Sequence, residues 1–456
     1  MKLRSSDTIA AIATPLGEGA ISVVRVSGPD AIALADKAFR GNHTLCETQG
    51  YTIRYGRIVD SQNETVDQVL VSVFRSPNSY TGEDSVEISC HGGVFVTKKV
   101  LSTVIGAGSR QADPGEFTKR AFVNGKMDLS QAEAVADLIR AGSERAHRNS
   151  TAQLSGSLSQ CIRSIRAKLM ETCVLVEVQL DFSEDDIPVE SSSAFKQGMI
   201  DCKQELESLL TSFRAGRLIR DGASVVIVGR PNVGKSSLFN RLLMSNRSIV
   251  SSKPGTTRDF LEESILLDGT LIKLVDTAGL RVANDDVEAE GIARTREAVR
   301  GADLVVLVID ATEEPTLKDD LETIADELRQ DARVVVALNK VDRLTGSPLE
   351  VSNSVPVSAL TGEGIEELKE RISKLVTGDI GSQDSEVFIC SNRHNESIQN
   401  CLNHVVNGLK SIEAGMTGEF VAADLRLASE SLSEVTGEIT TDEILNEVFS
   451  KFCIGK

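Results

Sequence analysis

The sequence predicts a multidomain protein of the α/β plus α class: a small N-terminal α/β domain, a helical domain in two halves, and a P-loop α/β domain inserted between those halves. Three observations predict it. An apolar run, Val225-Val226-Ile227-Val228, feeds the turn Gly229-Arg230-Pro231-Asn232-Val233-Gly234-Lys235-Ser236, and a helical pattern leaves from Ser237. Near Ser130 the apolar period lengthens from that of strands to that of helices. The helical period returns over residues 386–452. A chain of 456 residues is too long for one core, and typical domain sizes give roughly three domains.

Residues 1–125 alternate strand-like stretches (Ala20–Val26, Thr52–Val59, Gln68–Phe74, Ser85–Ser89) with a helical run near Val94–Ile105. From 126 to 220 the pattern is helical. Ser130-Gln131-Ala132-Glu133 resembles a capping box, and Leu129, Ala132, Ala136 and Ile139 repeat at helical spacing. A break is expected near Ser183–Pro188. The inserted domain covers 221–377, and residues 378–456 complete the helical domain. Such an insertion would couple the state of the inserted domain to helices on both sides.

The turn at 229–236 has the composition of a phosphate cradle. Strand, glycine-rich loop and helix N-terminus direct backbone N–H groups at one point, which favours an anion. Asn232, Val233 and Gly234 form the loop, Lys235 would reach β- and γ-phosphates, and Ser236, followed by Ser237, would hold Mg²⁺. A nucleoside triphosphate is the expected ligand.

Its base is read further along. Asn339-Lys340-Val341-Asp342 follows the apolar run Val334–Leu338. The Asp342 carboxylate can accept two hydrogen bonds from guanine's ring N–H and exocyclic amine, which adenine does not offer. Ser358-Ala359-Leu360, after Ser354–Val357, would close over the base. Between these lie switch elements. Asp276-Thr277-Ala278-Gly279 ends an apolar strand run; Asp276 can reach Mg²⁺ through water, and the Gly279 amide can approach the γ-phosphate. Gly255-Thr256-Thr257-Arg258-Asp259 stands where a switch loop belongs, with Thr257 as a second Mg²⁺ ligand. The order and spacing over about 222–377 resemble the translation-factor-related GTPases, implying a Ras-like α/β domain that binds GTP.

One position departs from the Ras-like pattern. Leu280 stands where those proteins place a water-orienting Gln, and an aliphatic side chain cannot polarise water. Asn232 could instead coordinate a monovalent cation beside the phosphates, neutralising developing charge. Glu288, in Asn284-Asp285-Asp286-Val287-Glu288, could orient water; the alternative is a solvated carboxylate, since charge runs are usually exposed.

Both ends of the chain narrow the family. The stretches Asp7-Thr8-Ile9-Ala10, Arg25-Val26-Ser27-Gly28, Tyr80-Thr81-Gly82-Glu83-Asp84, His91-Gly92-Gly93 and Pro114–Phe122, together with Phe452-Cys453-Ile454-Gly455-Lys456, look very like the tRNA uridine-modification GTPase family MnmE (also TrmE). The resemblance covers essentially the whole chain. It implies an N-terminal domain that binds a tetrahydrofolate one-carbon donor (5,10-methylene or 5-formyl) at Arg25, Glu83, Lys126 and Lys456. Cys453 matches a near-terminal cysteine proposed to take part in chemistry, with a supporting role the alternative. The resemblance implies K⁺ held by Asn232 with carbonyls at Ser251, Lys253 and Thr256, a looped-over segment Ser251-Ser252-Lys253-Pro254-Gly255 beside the nucleotide, and Glu288 as catalytic glutamate. Arg258 is placed to organise the switch. It further implies a homodimer and a heterotetramer with a flavin-dependent partner of the MnmG (GidA) family that carries FAD and uses NADH. Together they would act on the wobble uridine of tRNA, adding an aminomethyl or carboxymethylaminomethyl group at C5.

Charge and cysteines fit that expectation. The net charge of −18 argues against a broad electrostatic grip on nucleic acid. A local basic patch or a partner's surface is therefore expected to hold tRNA. Eight cysteines without a CxxC pair are consistent with reduced thiols in a cytoplasm. No run approaches membrane-spanning length, and Cys-Ile-Gly-Lys is a poor prenylation signal with no polybasic stretch before it. Two other readings remain: a ribosome-assembly GTPase, which would call for a basic RNA-binding module, and a lipidated signalling switch, which Leu280 disfavours.

Overall fold

The computed structural model describes residues 7–181, 190–244, 261–276, 296–312, 333–344, 353–378 and 388–456. The chain divides into two compact units. One comprises Met1–Ile139, Gln153–Gly198 and Asn403–Lys456, and the other Arg140–Ala152 and Met199–Leu402.

The first unit opens with a seven-stranded sheet. Its strands are β1 (Ile9–Ile12), β2 (Gly19–Ser27), β3 (Phe39–Gly41), β4 (Thr52–Val59), β5 (Thr65–Phe74), β6 (Ser85–Gly92) and β7 (Arg110–Gln111), in the order β3-β4-β5-β6-β2-β1-β7. All neighbours are antiparallel except β1 and β7. Alternation fixes the faces: Val69, Val71 and Val73 of β5 turn into a core with Val24, Val26 and Ile88. Helices α1 (Ala31–Ala38) and α2 (Val94–Gly106) cover that core, supplying Ala31, Ile32, Ala35, Val100 and Val104. The other face is open. It exposes Tyr55 and Leu70, direct cross-strand partners, together with Ile53 and Ile21.

Strands β1, β3 and β7 and helices α1 and α3 (Glu116–Val123) are not marked in the sequence reading. Strand β1 reads Ile-Ala-Ala-Ile, too short to show a period. Helix α3 has no apolar stripe because its buried residues include Glu116, Thr118 and Arg120. The cap of α4 (Leu129–Arg140) also differs from expectation. Asp128 takes the place assigned to Ser130: its Oδ1 accepts from Gln131 N–H at 3.0 Å, and Gln131 Oε1 accepts from Asp128 N–H at 3.0 Å. Ser130 is buried, with its hydroxyl 2.8 Å from that of Ser159.

Helices α5 (Glu144–Leu154), α6 (Ser157–Asp181) and α7 (Glu190–Asp221) follow; the expected break at Ser183–Pro188 lies outside the described residues. Three further helices close the chain: α10 (Asn392–Glu413), α11 (Gly418–Thr436) and α12 (Asp442–Ser450). Residues about 300 positions apart share one small core. Leu129, Ala132 and Val135 of α4 pack with Leu445, Val448 and Phe449 of α12 and with Phe452. Gly115, at φ 68°, lets the turn before α3 approach Phe449; an added Cβ would lie 2.5 Å from that residue's carbonyl oxygen.

The second unit is built on a six-stranded sheet. It contains β8 (Ala223–Val228), β9 (Leu261–Leu267), β10 (Thr270–Asp276), β11 (Leu304–Asp310), β12 (Arg333–Asn339) and β13 (Ser354–Pro356) in the order β13-β12-β11-β8-β10-β9. Only the β9–β10 pair is antiparallel. Every residue of β11 is buried, as expected of a parallel strand covered on both faces. Val225, Ile227, Leu304, Val306 and Val308 face one core; Val226, Val228, Val305, Leu307 and Ile309 face the other. Helices α8 (Lys235–Met244) and α9 (Ile365–Thr377) pack into the first of these cores.

Candidate functional sites

The loop between β8 and α8 is shaped by glycine. At Gly229, φ 149°, an added Cβ would lie 2.3 Å from the Val308 carbonyl oxygen, so the loop can leave the sheet only without a side chain there. At Gly234, φ 100°, a Cβ would lie 2.2 Å from Asn339 Nδ2. Asn232 is exposed and left-handed at φ 67°. Val233 is buried, and the Lys235 Nζ donates to the Gly229 and Arg230 carbonyls at 2.9 and 2.8 Å. Ser236 and Ser237 are exposed at the start of α8, and Gly234 O accepts from Leu238 N–H. A helix N-terminus behind a concave glycine loop with an ammonium close by suits a phosphate chain.

The base-side residues converge on the same loop. Asn339 ends β12 buried; its Nδ2 donates to Val233 O at 2.7 Å and its Oδ1 accepts from Ala359 N–H at 3.0 Å. Lys340, at φ 68°, donates to Asp310 Oδ2 at 2.5 Å. Burial pushes the Asp310 carboxyl up, but bonds from Lys340 and from the Thr312 hydroxyl and N–H outweigh it and hold the group below its ordinary value. Ser358 is buried and its hydroxyl donates to Asp342 Oδ1 at 2.5 Å, fixing the carboxylate. Leu360 is 71% exposed. The structure thus places Asn339, Asp342, Ser358 and Ala359 in one linked group beside the loop; Asp310 and Thr312 were not singled out in the sequence.

Asp276 is buried at the end of β10, opposite Ile227 of β8. Its carboxylate and the Ser236 hydroxyl are hard oxygen donors that fit Mg²⁺. The remaining residues assigned to this site lie outside the described residues: Ser251, Ser252, Lys253, Pro254, Gly255, Thr256, Thr257, Arg258, Thr277, Ala278, Gly279 and Glu288. Among the described residues no group of three or more His, Cys, Asp or Glu side chains is arranged to hold a metal.

A second site lies in the first unit. Arg25 on β2 is 14% exposed in its side chain and pairs with Glu87 through Nε and Nη2 at 2.9 and 2.8 Å. Its guanidinium lies over Tyr80 (5.2 Å to the centroid) and Phe117 (5.7 Å), while Nη1 is buried with no hydrogen-bond partner among the described residues. The Lys456 Nζ lies over the same Tyr80 ring at 5.8 Å. Burial, then repulsion by Arg25, pull the Lys456 ammonium below its ordinary value against the opposing pull of Glu87. Two cations therefore lie over one aromatic ring, only Arg25 being paired with Glu87, and the Arg25 Nη1 lacks an acceptor among the described residues. That arrangement fits a flat, anionic ligand.

Glu83 is tied into a buried charge network rather than left open. It accepts from Ser27 Oγ at 2.8 Å and from Arg120 Nη1 at 3.2 and 3.3 Å. Arg120, 4% exposed, also meets Asp7 at 2.7 Å and Glu116 at 2.9 Å. Lys126 is exposed and donates to Pro77 O at 3.1 Å. Cys453 is exposed, and its carbonyl accepts from Lys456 N–H at 3.3 Å. Sequence reasoning missed Tyr80, Phe117, Glu87 and Arg120 as parts of this region. Tyr80 and Phe117 stand inside recognisable stretches, but their approach to Arg25 is a property of the folded sheet.

The charge network has a pH signature. Burial pushes the Glu116 carboxyl up, but bonds from Arg110, the Asp113 N–H and Arg120 outweigh it and hold the group below its ordinary 4.5. A depressed carboxylate contributes its full stability above the unfolded-state value and loses it as pH falls through the folded-state value. Hydrogen-exchange protection of α3 should therefore fall as pH is lowered past 4.5. Glu116→Gln should begin lower at neutral pH and show a flatter decline; an identical slope would remove Glu116 from the linkage.

The mostly parallel sheet, the glycine-bounded loop and the Asn–Lys–Val–Asp group linked to it define a P-loop nucleotide-binding protein. Two family models match the chain: "GTP-binding protein TrmE N-terminus" over residues 8–126 and "MnmE helical domain" over residues 129–453. Curated tRNA modification GTPases named MnmE are similar along their whole length. The Symbiobacterium thermophilum protein is 44% identical, covering 99% of each chain, and that of Streptococcus gordonii is 42% identical, covering 100% of each. The Chlorobium luteolum protein is 41% identical, covering 98% of this chain and 97% of its own. The chain belongs to the MnmE family of tRNA modification GTPases.

Proposed function

We propose that the protein hydrolyses GTP and takes part in modifying tRNA. The observation that carries this reading is the end-to-end similarity to tRNA modification GTPases, at 41 to 44% identity. The linked geometry of Val233, Asn339, Ala359 and Asp342 supports it. In this reading residues 221–377 form a Ras-like domain. Asn232–Ser237 and Lys235 hold the phosphates, Asp342 reads guanine, and Ser358-Ala359-Leu360 closes over it. Ser236 and Thr257 would hold Mg²⁺, with Asp276 nearby, and the ion would neutralise charge on the phosphates.

Leu280 leaves the orientation of the attacking water to Glu288, with Arg258 ordering the switch. Asn232 supports potassium activation, since it is exposed and its backbone turn belongs to the phosphate loop. Ser251, Lys253 and Thr256 would complete that site with carbonyls. Asn232→Ala is expected to abolish stimulation by potassium while keeping GTP affinity within about threefold, the cost of one weak hydrogen bond. Equal potassium stimulation in the variant, measured as phosphate release, would remove Asn232 from the site.

The aromatic floor with its paired cations supports binding of a tetrahydrofolate derivative in the domain 1–125, through Arg25 and Lys456 with Glu83 and Lys126 nearby. The segments 126–220 and 378–456 then form the helical domain, with Cys453 at the folate region. Tyr55, Leu70, Ile53 and Ile21 leave an apolar sheet face that supports pairing into a homodimer. The finer reading is C5 modification of the wobble uridine with a flavin-dependent partner of the MnmG family. Among the described residues no helix is long and apolar enough to cross a membrane, and a cytoplasmic setting is part of the same proposal. The test is mass spectrometry of tRNA nucleosides from cells with and without the gene. Loss of 5-substituted wobble uridines, restored by the intact gene, is expected; unchanged nucleosides with no second copy present would overturn the reading in favour of ribosome assembly.

A further inference from the structure

Arg241 belongs to none of the nucleotide motifs, yet it grips the loop that carries one. It stands on α8, the helix that leaves the phosphate loop. Its Nε donates to the Ala359 carbonyl at 3.0 Å, and its Nη2 donates to the carbonyl of Leu360. The same loop is tied from its other side, where Ala359 N–H meets Asn339 Oδ1 at 3.0 Å and Asn339 Nδ2 meets Val233 O at 2.7 Å. These bonds close a circuit. It runs from the phosphate loop through Asn339 to Ala359, across to Arg241, and back along α8 to Lys235.

We propose that Arg241 is a positioning residue for base selection, locking the Ser358-Ala359-Leu360 loop to the helix that holds the phosphates. This rests on the reading above in which Asp342 and that loop receive guanine. The reason is peptide geometry. In a trans peptide the C=O and the following N–H point in opposite directions. A planar guanidinium that takes two successive carbonyls therefore sets two successive peptide planes. Pinning Ala359 O aims Leu360 N–H away from α8. Pinning Leu360 O does the same for Thr361 N–H, which meets Ser358 Oγ at 3.1 Å. That hydroxyl is the one that holds Asp342. Arg241 thus acts on the base-reading carboxylate through Thr361 and Ser358 without touching the nucleotide.

The test compares GDP and ADP affinities by calorimetry on the full chain for wild type, Arg241→Ala and Arg241→Lys. Arg241→Ala is expected to weaken GDP about tenfold and ADP little, so that the GDP-to-ADP preference falls by about the same factor. Arg241→Lys, which keeps the charge but offers no fork, should fall between the two. If Arg241→Ala does not fold, Arg241→Lys alone decides. Variants that lose GDP and ADP affinity equally would show a merely structural role and overturn the inference, as would an unchanged preference. A wild-type chain that does not prefer GDP over ADP would overturn the base-side reading itself, and this inference with it.

Discussion

Changing Asp342 to asparagine is expected to weaken GTP binding by about two to four orders of magnitude, since two charge-assisted bonds of about 1.5–3 kcal/mol each would be lost. The same change should admit xanthosine triphosphate, whose 2-keto oxygen accepts the bond that a carboxamide N–H can donate. The position is rigid enough for the exchange to be read cleanly. Ser358 holds one carboxylate oxygen at 2.5 Å, and Asn339 and Ala359 tie the neighbouring backbone to the phosphate loop. Asp342→Asn should therefore change which base is bound without dissolving the site. Competition between the two triphosphates for one labelled nucleotide gives the answer, and a variant that still selects GTP would remove Asp342 from base recognition.

Gly455→Ala should cost a folate ligand most of its affinity while leaving GTP untouched. Gly455 sits at φ 98°, and an added Cβ would lie 2.2 Å from the Ile12 carbonyl oxygen. Both partners are backbone, so neither can swing aside, and the left-handed angle penalises any side chain. The tail must lift from the end of β1. Lys456 then leaves the ring of Tyr80, over which it sits at 5.8 Å. Losing one charge-assisted contact to an anionic tail predicts a fall of about 10- to 150-fold, and deleting Lys456 should reproduce it. Calorimetry with 5-formyltetrahydrofolate tests this, with GTP as the internal control. Equal folate affinity in both variants would detach the tail from the site.

How much of this was legible in the sequence depends on how far apart the cooperating residues lie. The phosphate loop is local: Gly229 to Ser236 carries its own strand, turn and helix start, and the sequence displays all three. The main strands of the first sheet were legible because β2, β4, β5 and β6 are long enough to show a period. Helix α3 was not, since its inward face includes Glu116, Thr118 and Arg120, and Arg120 is paired there with Asp7 and Glu83 from distant loops. The α4 cap was misread by two residues because Ser130 and Asp128 both suit an N-cap, and only the bond between Asp128 and Gln131 decides. Glu83, which the family resemblance puts at the folate site, is engaged by Arg120 and Ser27, residues on other segments that the sequence does not bring together. The aromatic floor beneath Arg25 and the grip of Arg241 on the Ala359 loop follow from the fold and leave no periodic trace.

The small core shared by α4 and α12 has a consequence for synthesis. Lys119 of α3 and Asn446 of α12 bond across 327 positions of sequence. At translation rates of about 5–20 residues per second, Phe122 and the apolar face of α4 would wait roughly 15 to 65 seconds for their partner to leave the ribosome. The second unit's mostly parallel sheet lies in the intervening sequence and can fold during that interval. Phe122, Leu129 and Val135 thus lack their α12 neighbours until that late segment is made. A brake on elongation within the inserted segment would lengthen their exposure, and with it the chance of aggregation.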